Sequence, residues 1–276
     1  MVTAAPSKRF INLAFVVLAV ALAVVAADGQ GFGGRGGRGR YVSPTLATNE
    51  SFDGTWHFCR LAYRGRAWLT DYPDADYNFS TRVSELTKTS VGRGMDGEPQ
   101  PLIVRPTDDV LFKCPFVMLW QAESLYFTPE DAARMRLYLL KGGFLWSDDS
   151  WGTYAWQNFE HEMAKVLPEP QYRFVDLPPT HPMFNTRFTL KQVPQIPGIS
   201  YWWRSGGDTS EQGADSAQVH VRGVADEHGR LMVLSTHNTD IADGWEREGM
   251  DPRYFQMFSV DAYAVGINVL LYAMTH

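Results

Sequence analysis

Six ionisable side chains fall just after segments patterned as strands: Asp71, Glu123, Asp148, Asp149, His237 and Asp240. Carboxylates in such places can act as general bases, accept ligand hydroxyls or hold a hard cation. A histidine beside them can exchange a proton near neutrality. Asp148, Glu123 and His237 are the candidates for catalysis. Asp71, Asp149, Trp151, Asn238, Asp240 and Trp245 are the candidates for ligand contact, the tryptophans because ring faces suit sugars and other flat, partly apolar molecules. Each has a plainer reading. Adjacent Asp148 and Asp149 point to opposite faces of a strand, so one of them can pair or cap. A histidine often satisfies a loop, a carboxylate ending a buried strand needs a partner or water, and loop aromatics also plug onto cores. His161 lies between Glu160 and Glu162 without the spacing of a zinc helix and reads as solvated surface. Residue spacing assigns no metal ligands and points to no cofactor.

A thiol nucleophile would sit on a sharp strand-to-helix turn flanked by glycines. Cys59 falls inside a strand and Cys114 just before one, so glutaminase chemistry is not expected. Burial favours two free thiols, with a disulfide as the alternative in an exported chain. Ser150 does stand at a strand-to-helix turn, but its surroundings are not those of a serine elbow, and it is expected to cap the helix beginning at Trp151.

These groups need elements to hold them. Trp56 to Tyr63, Pro101 to Val104, Phe116 to Trp120, Phe144 to Ser147 and Leu231 to Leu234 read as strands, the last three being short apolar runs suited to cover on both faces. Gln171 to Val175 and Gln218 to Arg222 are further strand segments. Helices are expected over Asp76 to Thr87, from Thr128-Pro129 to a stop at Gly142, over Trp151 to Val166, and over Ser259 to Thr275. The Pro194 to Ala217 region reads as loop. Strands alternating with helices predict an α/β fold: a mostly parallel sheet flanked by helices on both faces, with an antiparallel hairpin around Gly229 near one edge. Such sheets bind ligands beyond the carboxyl ends of their strands.

The chain has 276 residues, 25 basic and 31 acidic. Without residues 1–40 the balance is 20 basic to 30 acidic, which disfavours a nucleic-acid partner. Lys8-Arg9 precede an apolar run from Phe10 to Ala27, the pattern of a secretory signal, with an uncleaved membrane anchor over residues 10–27 as the alternative. Residues 28–50 read as a Gly/Arg-rich linker and 51–276 as the α/β domain. The expected address is periplasmic or extracellular.

Leu137 to Leu145 with Gly142-Gly143, the Asp148-Asp149 pair with Trp151-Gly152, His181-Pro182, and Gly229 to Val233 with His237-Asn238-Thr239-Asp240 resemble the bacterial domain-of-unknown-function 4159 family. Asp71-Tyr72-Pro73-Asp76 and Gly266-Ile267-Asn268 fit it too. The resemblance implies a class I glutamine-amidotransferase-like, flavodoxin-like fold and no established activity. The expected function is binding of a small or glycan-like ligand at an acidic rim. The alternatives are a hydrolase using Asp148 or Glu123 as base, with or without a divalent metal, and a scaffold in an envelope assembly whose protein partners the sequence does not name.

Overall fold

The computed structural model describes residues 44–276. The signal or anchor segment and most of the Gly/Arg-rich stretch lie outside the described residues. Within the remainder, Leu46 already pairs in parallel with Ile103, and Asn49–Ser51 form a 3-10 turn, so the end of the segment read as linker packs on the domain.

Seven strands form one sheet: β1 (Cys59–Leu61), β2 (Leu102–Val104), β3 (Phe116–Trp120), β4 (Phe144–Asp148), β5 (Val175–Asp176), β6 (His220–Ala225) and β7 (Leu231–His237), in the order β2-β1-β3-β4-β7-β6-β5. The first five in that order run parallel, and β6 and β5 add an antiparallel edge. The α/β class and the hairpin at one edge are as the sequence predicts. Every residue of β3, β4 and β7 is buried, as continuous apolar runs demand of strands covered on both faces. The strand expected over Gln171 to Val175 is instead the two-residue β5.

Helix α1 (Asp74–Thr87) buries Ala75, Phe79 and Val83, and α7 (Val260–Thr275) packs on the same face of the sheet. Helices α2 (Pro129–Leu140) and α3 (Gly152–Val166) cover the other. Thr128 caps α2 in a reciprocal box with Asp131, their backbone N–H groups bonding each other's side chains at 3.0 and 3.1 Å. Gly142, at φ 105°, reverses the chain into β4. Part of the expected loop region is α4 (Ile199–Ser205), where Trp202 is buried and Trp203 exposed. Two short helices, α5 (Asp243–Glu246) and α6 (Pro252–Tyr254), lead into α7. Pro252–Thr275 is long and apolar enough to cross a membrane by length and composition, but 61% of its apolar stretch is buried in the fold.

Cys59 and Cys114 are bonded, which overturns the expectation of two free thiols. Cys59 opens β1 and Cys114 stands two residues before the adjacent β3, so strand order brings together two residues 55 apart in sequence. A cross-link closing a loop of that size removes roughly 4 kcal/mol of conformational freedom from the unfolded chain. The Cys59→Ala/Cys114→Ala variant should lose about that much unfolding free energy in urea, and alkylation of the denatured, unreduced wild type should label no thiol.

Candidate functional site

Strands β1, β3, β4 and β7 present their carboxyl ends on one edge of the molecule. Among the described residues, five non-glycine residues have positive φ, and four lie at this edge: Asp71 (60°), Gln121 (50°), Asp149 (49°) and Asn238 (63°). The fifth, Lys88, merely ends α1. A left-handed conformation costs an ordinary residue about 1 kcal/mol and persists where surrounding bonds over-determine it. Here Gln121 N–H donates to the Asp149 carbonyl (3.2 Å) and Asn238 N–H to that of Ser150 (2.8 Å), lacing the strand ends together.

Alternation along the strands sorts the expected site residues by face. Asp148 and Thr236 point to the α1/α7 face, where Thr236 Oγ1 also accepts from Trp146 Nε1 (2.8 Å). His237 points to the α2/α3 face, beside Trp156 of α3 with ring centres 5.8 Å apart. The two reach the same end of the sheet but diverge across it, so they form no acid–base pair.

Asp148 is fully buried and accepts from Thr236 Oγ1 (2.5 Å) and Ala242 N–H (3.0 Å). It ties β4 to β7 and to the turn beyond. Burial pushes its carboxyl up to about 7, and those hydrogen bonds hold it from going higher. His237 Nε2 donates to the Gly152 carbonyl (2.9 Å), which fixes the tautomer, and Nδ1 faces Arg222 Nη1 (3.4 Å). Burial, with Arg222 and His220 nearby, lowers it to about 4, so the ring stays neutral. Asn238 Oδ1 accepts from Gly152 N–H (2.8 Å) and its amide donates to the Gln218 carbonyl (2.7 Å). The start of α3 is therefore capped by Asn238 and by Asp215, which accepts from Thr153 N–H (2.8 Å), and not by Ser150. Trp245 is fully buried and stacked on Phe79 at 4.3 Å, part of the core instead of a pocket mouth.

The acids that do converge are Asp71, Asp149 and Asp240, joined by Asp243 and Glu246 of α5. Asp240 Oδ1 accepts from Asp243 N–H (2.8 Å). Asp243 Oδ2 accepts from Ile199 N–H (2.6 Å) and Tyr254 OH (3.0 Å). Asp149 Oδ1 accepts from Trp151 Nε1 (3.1 Å). Burial, then mutual repulsion, holds Asp71, Asp149 and Asp240 well above the ordinary carboxylate range, and Glu246 is pushed up to about 8. Glu123 is raised by burial, and one of its oxygens is buried without a hydrogen-bond partner, as is Oδ2 of Asp71. The countercharges are Arg60 and Arg247, the latter 2.6 Å from Glu246 and 3.6 Å from Asp243. One oxygen from each of Asp71, Asp240 and Asp243 lies within 4.8 Å of the other two, a set able to hold a hard cation. Beside this edge a cleft of about 500 Å³ is lined by Tyr63, Arg64, Trp68 and Arg105. Tyr63 borders both, since Glu123 and Asp149 act electrostatically on its hydroxyl.

Sequence reasoning missed Asp243 and Glu246, although Asp240, Asp243 and Glu246 recur every third residue. It also missed Arg60. That guanidinium is fully buried, donates to Asp76 through Nε (3.0 Å) and Nη2 (2.5 Å), and donates through Nη1 to the carbonyls of Trp68 and Thr70 (both 2.7 Å). It thereby anchors the loop that delivers Asp71.

A mostly parallel α/β sheet with carboxylates massed beyond its strand ends is thus the class of protein that fold and edge define. The chain belongs to the DUF4159 family, a domain of unknown function, whose model matches residues 57–274. No curated protein matches it.

Two outcomes follow. Arg60→Met leaves Asp76 buried and unpaired and should cost about 3–5 kcal/mol in urea denaturation. A carboxyl raised on folding takes up protons that the unfolded chain releases, so its stabilising contribution falls as pH rises from its ordinary value to its raised one. Asp148 at about 7 and Glu246 at about 8 place that loss between about pH 4 and 8. The depressed His237 acts oppositely, losing stability as pH drops from 6.5 towards 4. Because raised acids outnumber it, chelator-treated protein should melt at higher temperature at pH 5.5 than at pH 8 by calorimetry. A flat or rising profile would contradict the acid cluster.

Proposed function

We propose that this domain binds a small, hydroxyl-rich, glycan-like ligand at its acidic edge, outside the cytosol and without glutaminase chemistry. The observation carrying the reading is the convergence of Asp71, Asp149 and Asp240 beyond parallel strand ends, next to a cleft of about 500 Å³, within the usual size of small-molecule sites. Carboxylate oxygens are acceptors, so they suit a ligand rich in hydroxyl donors. Trp151, whose Nε1 donates to Asp149, lies at the same edge with only 8% of its surface exposed. Both cysteines are 1% exposed and bonded to each other, which supports the exclusion of a thiol nucleophile. The disulfide and the apolar run over residues 10–27 together support an oxidising, extracytoplasmic address, by cleaved signal or by anchor.

A second reading is a hydrolase with Glu123 as its acid–base group. It is favoured by the buried, unpartnered oxygen and raised carboxyl of Glu123, since such a group is poised to exchange a proton. Asp148 suits that role less, being sealed in the sheet.

Calorimetric titration of the full chain with envelope-type oligosaccharides and simple polyols tests the proposal. Asp149→Asn and Glu123→Gln should each weaken binding about tenfold or more, the worth of a charge-assisted hydrogen bond. His237→Gln should bind as the wild type. Equal affinity in the wild type and both carboxylate variants would remove the edge as the binding site. Turnover of a bound oligosaccharide, abolished by Glu123→Gln, would favour the hydrolase.

A further inference from the structure

We infer that Asp71, Asp240 and Asp243 hold one divalent cation of calcium size. The three carboxylates come from two places far apart in sequence, the loop after β1 and the turn after β7. Each offers an oxygen within 4.8 Å of the other two. Calcium keeps its oxygens at roughly 2.3–2.6 Å, so two ligands on opposite sides stand up to about 5 Å apart. Magnesium, at about 2.1 Å, usually keeps several waters and takes only one or two carboxylates, so three converging carboxylates suit calcium better. An all-oxygen set with no histidine or cysteine selects hard cations over zinc or copper.

A second observation points the same way. Oδ2 of Asp71 is buried and has no hydrogen-bond partner, in a place where Glu246, Asp243 and Asp149 all repel it. Arg60 and Arg247 offset the charge of Asp71 only electrostatically, since the donors of Arg60 are committed to Asp76 and two carbonyls. The other two ligands are oriented from behind, as ligating carboxylates usually are. Asp243 N–H fixes Asp240, while Ile199 N–H and Tyr254 OH fix one oxygen of Asp243. The remaining oxygen of Asp243 has Arg247 at 3.6 Å, on a side chain one-third exposed that can withdraw to solvent.

The cation's role rests on the ligand reading, whereas its binding does not: coordination positions left open by three carboxylates are places for water or for a pair of neighbouring ligand hydroxyls. The full chain, stripped with EDTA and dialysed, is titrated with calcium chloride and separately with magnesium chloride, with no sugar present, by calorimetry and thermal unfolding. Calcium should bind with one-to-one stoichiometry, more tightly than magnesium, and raise the melting temperature by several degrees. Asp240→Asn should weaken calcium binding at least tenfold while keeping the wild-type circular dichroism spectrum, and Asp71→Asn should do the same from the other side of the site. Asp109→Asn, on an exposed carboxylate paired with Arg134 and outside the three-carboxylate set, should change nothing. Absence of any response to millimolar calcium, or a response undiminished in both variants, overturns the inference. Sugar binding that persists in EDTA, with no calcium response, overturns it and leaves the ligand reading standing. Calcium binding without sugar binding supports it and removes the ligand reading alone.

Discussion

A guanidinium buried beneath the strand ends governs how this domain presents its edge. Arg60 lies flat over Trp120, 3.5 Å from the ring centre, with its donors committed to Asp76 and to the carbonyls of Trp68 and Thr70. Taking a charge out of water costs several kcal/mol, and the cost is tolerable when every donor finds a well-placed acceptor. Planar geometry does more here than charge. One rigid fork joins β1, α1 and the loop between them while its face rests on the last residue of β3. Asp71 follows directly on the loop so held, which is why a residue in a left-handed conformation can be kept pointing among other acids.

Those acids stand above an aromatic floor. Phe58, Phe79, Trp120, Trp146 and Trp245 pack edge to face, tilted or stacked under the sheet end, all of them buried. Such a floor supplies few polar groups and a low local dielectric, so repulsion among carboxylates above it is stronger than at an open surface. The same packing sets the position of α5. Trp245 stacks on Phe79, and Asn78 Nδ2 donates to the Trp245 carbonyl (2.8 Å), so α1 fixes the helical turn that carries Asp243 and Glu246. Gly266 of α7 lets this happen. A Cβ there would stand 2.5 Å from both the Phe79 and the Trp245 rings. Core packing and the chemistry of the edge are therefore one construction, and the acids are held against their own repulsion by aromatic burial a layer below.

Much of the frame was legible in the sequence because its signals are local. Apolar runs marked β3, β4 and β7, Thr128-Pro129 marked the start of α2, and Gly142 its end. What stayed hidden depends on partners. Cys59 and Cys114 meet because β1 and β3 are neighbours, an order that no spacing reveals. The cap of α3 is Asn238, 86 residues away, so a search among neighbouring residues fell on Ser150. His237 faces α3 because alternation along β7 is set by pairing with β4 and β6, and a strand's phase cannot be read without its partners. Asp243 and Glu246 sit in a helix of four residues, too short to display a period. Arg60 was invisible for a different reason: an arginine in a strand is ordinarily read as solvent-facing, and here a carboxylate and two carbonyls wait for it inside.

The Asp148-Asp149 pair shows how one motif divides into two roles. Asp148 is the last residue of β4, so the strand's alternation carries its side chain into the sheet, where it receives Thr236 and Ala242 and closes the turn after β7. Asp149 begins the irregular chain, and its left-handed backbone breaks the alternation, leaving its carboxylate beside Trp151 and Gln121 at the edge. The turn that Asp148 closes is the one bearing Asp240 and Asp243. A carboxyl that touches no ligand thus sets the spacing of two that can, and its burial is the condition for their exposure to one another. The residues that first suggested chemistry by their position after a strand are, in Asp148, Asn238 and His237, the joints of the edge, while the charge it presents belongs to their neighbours.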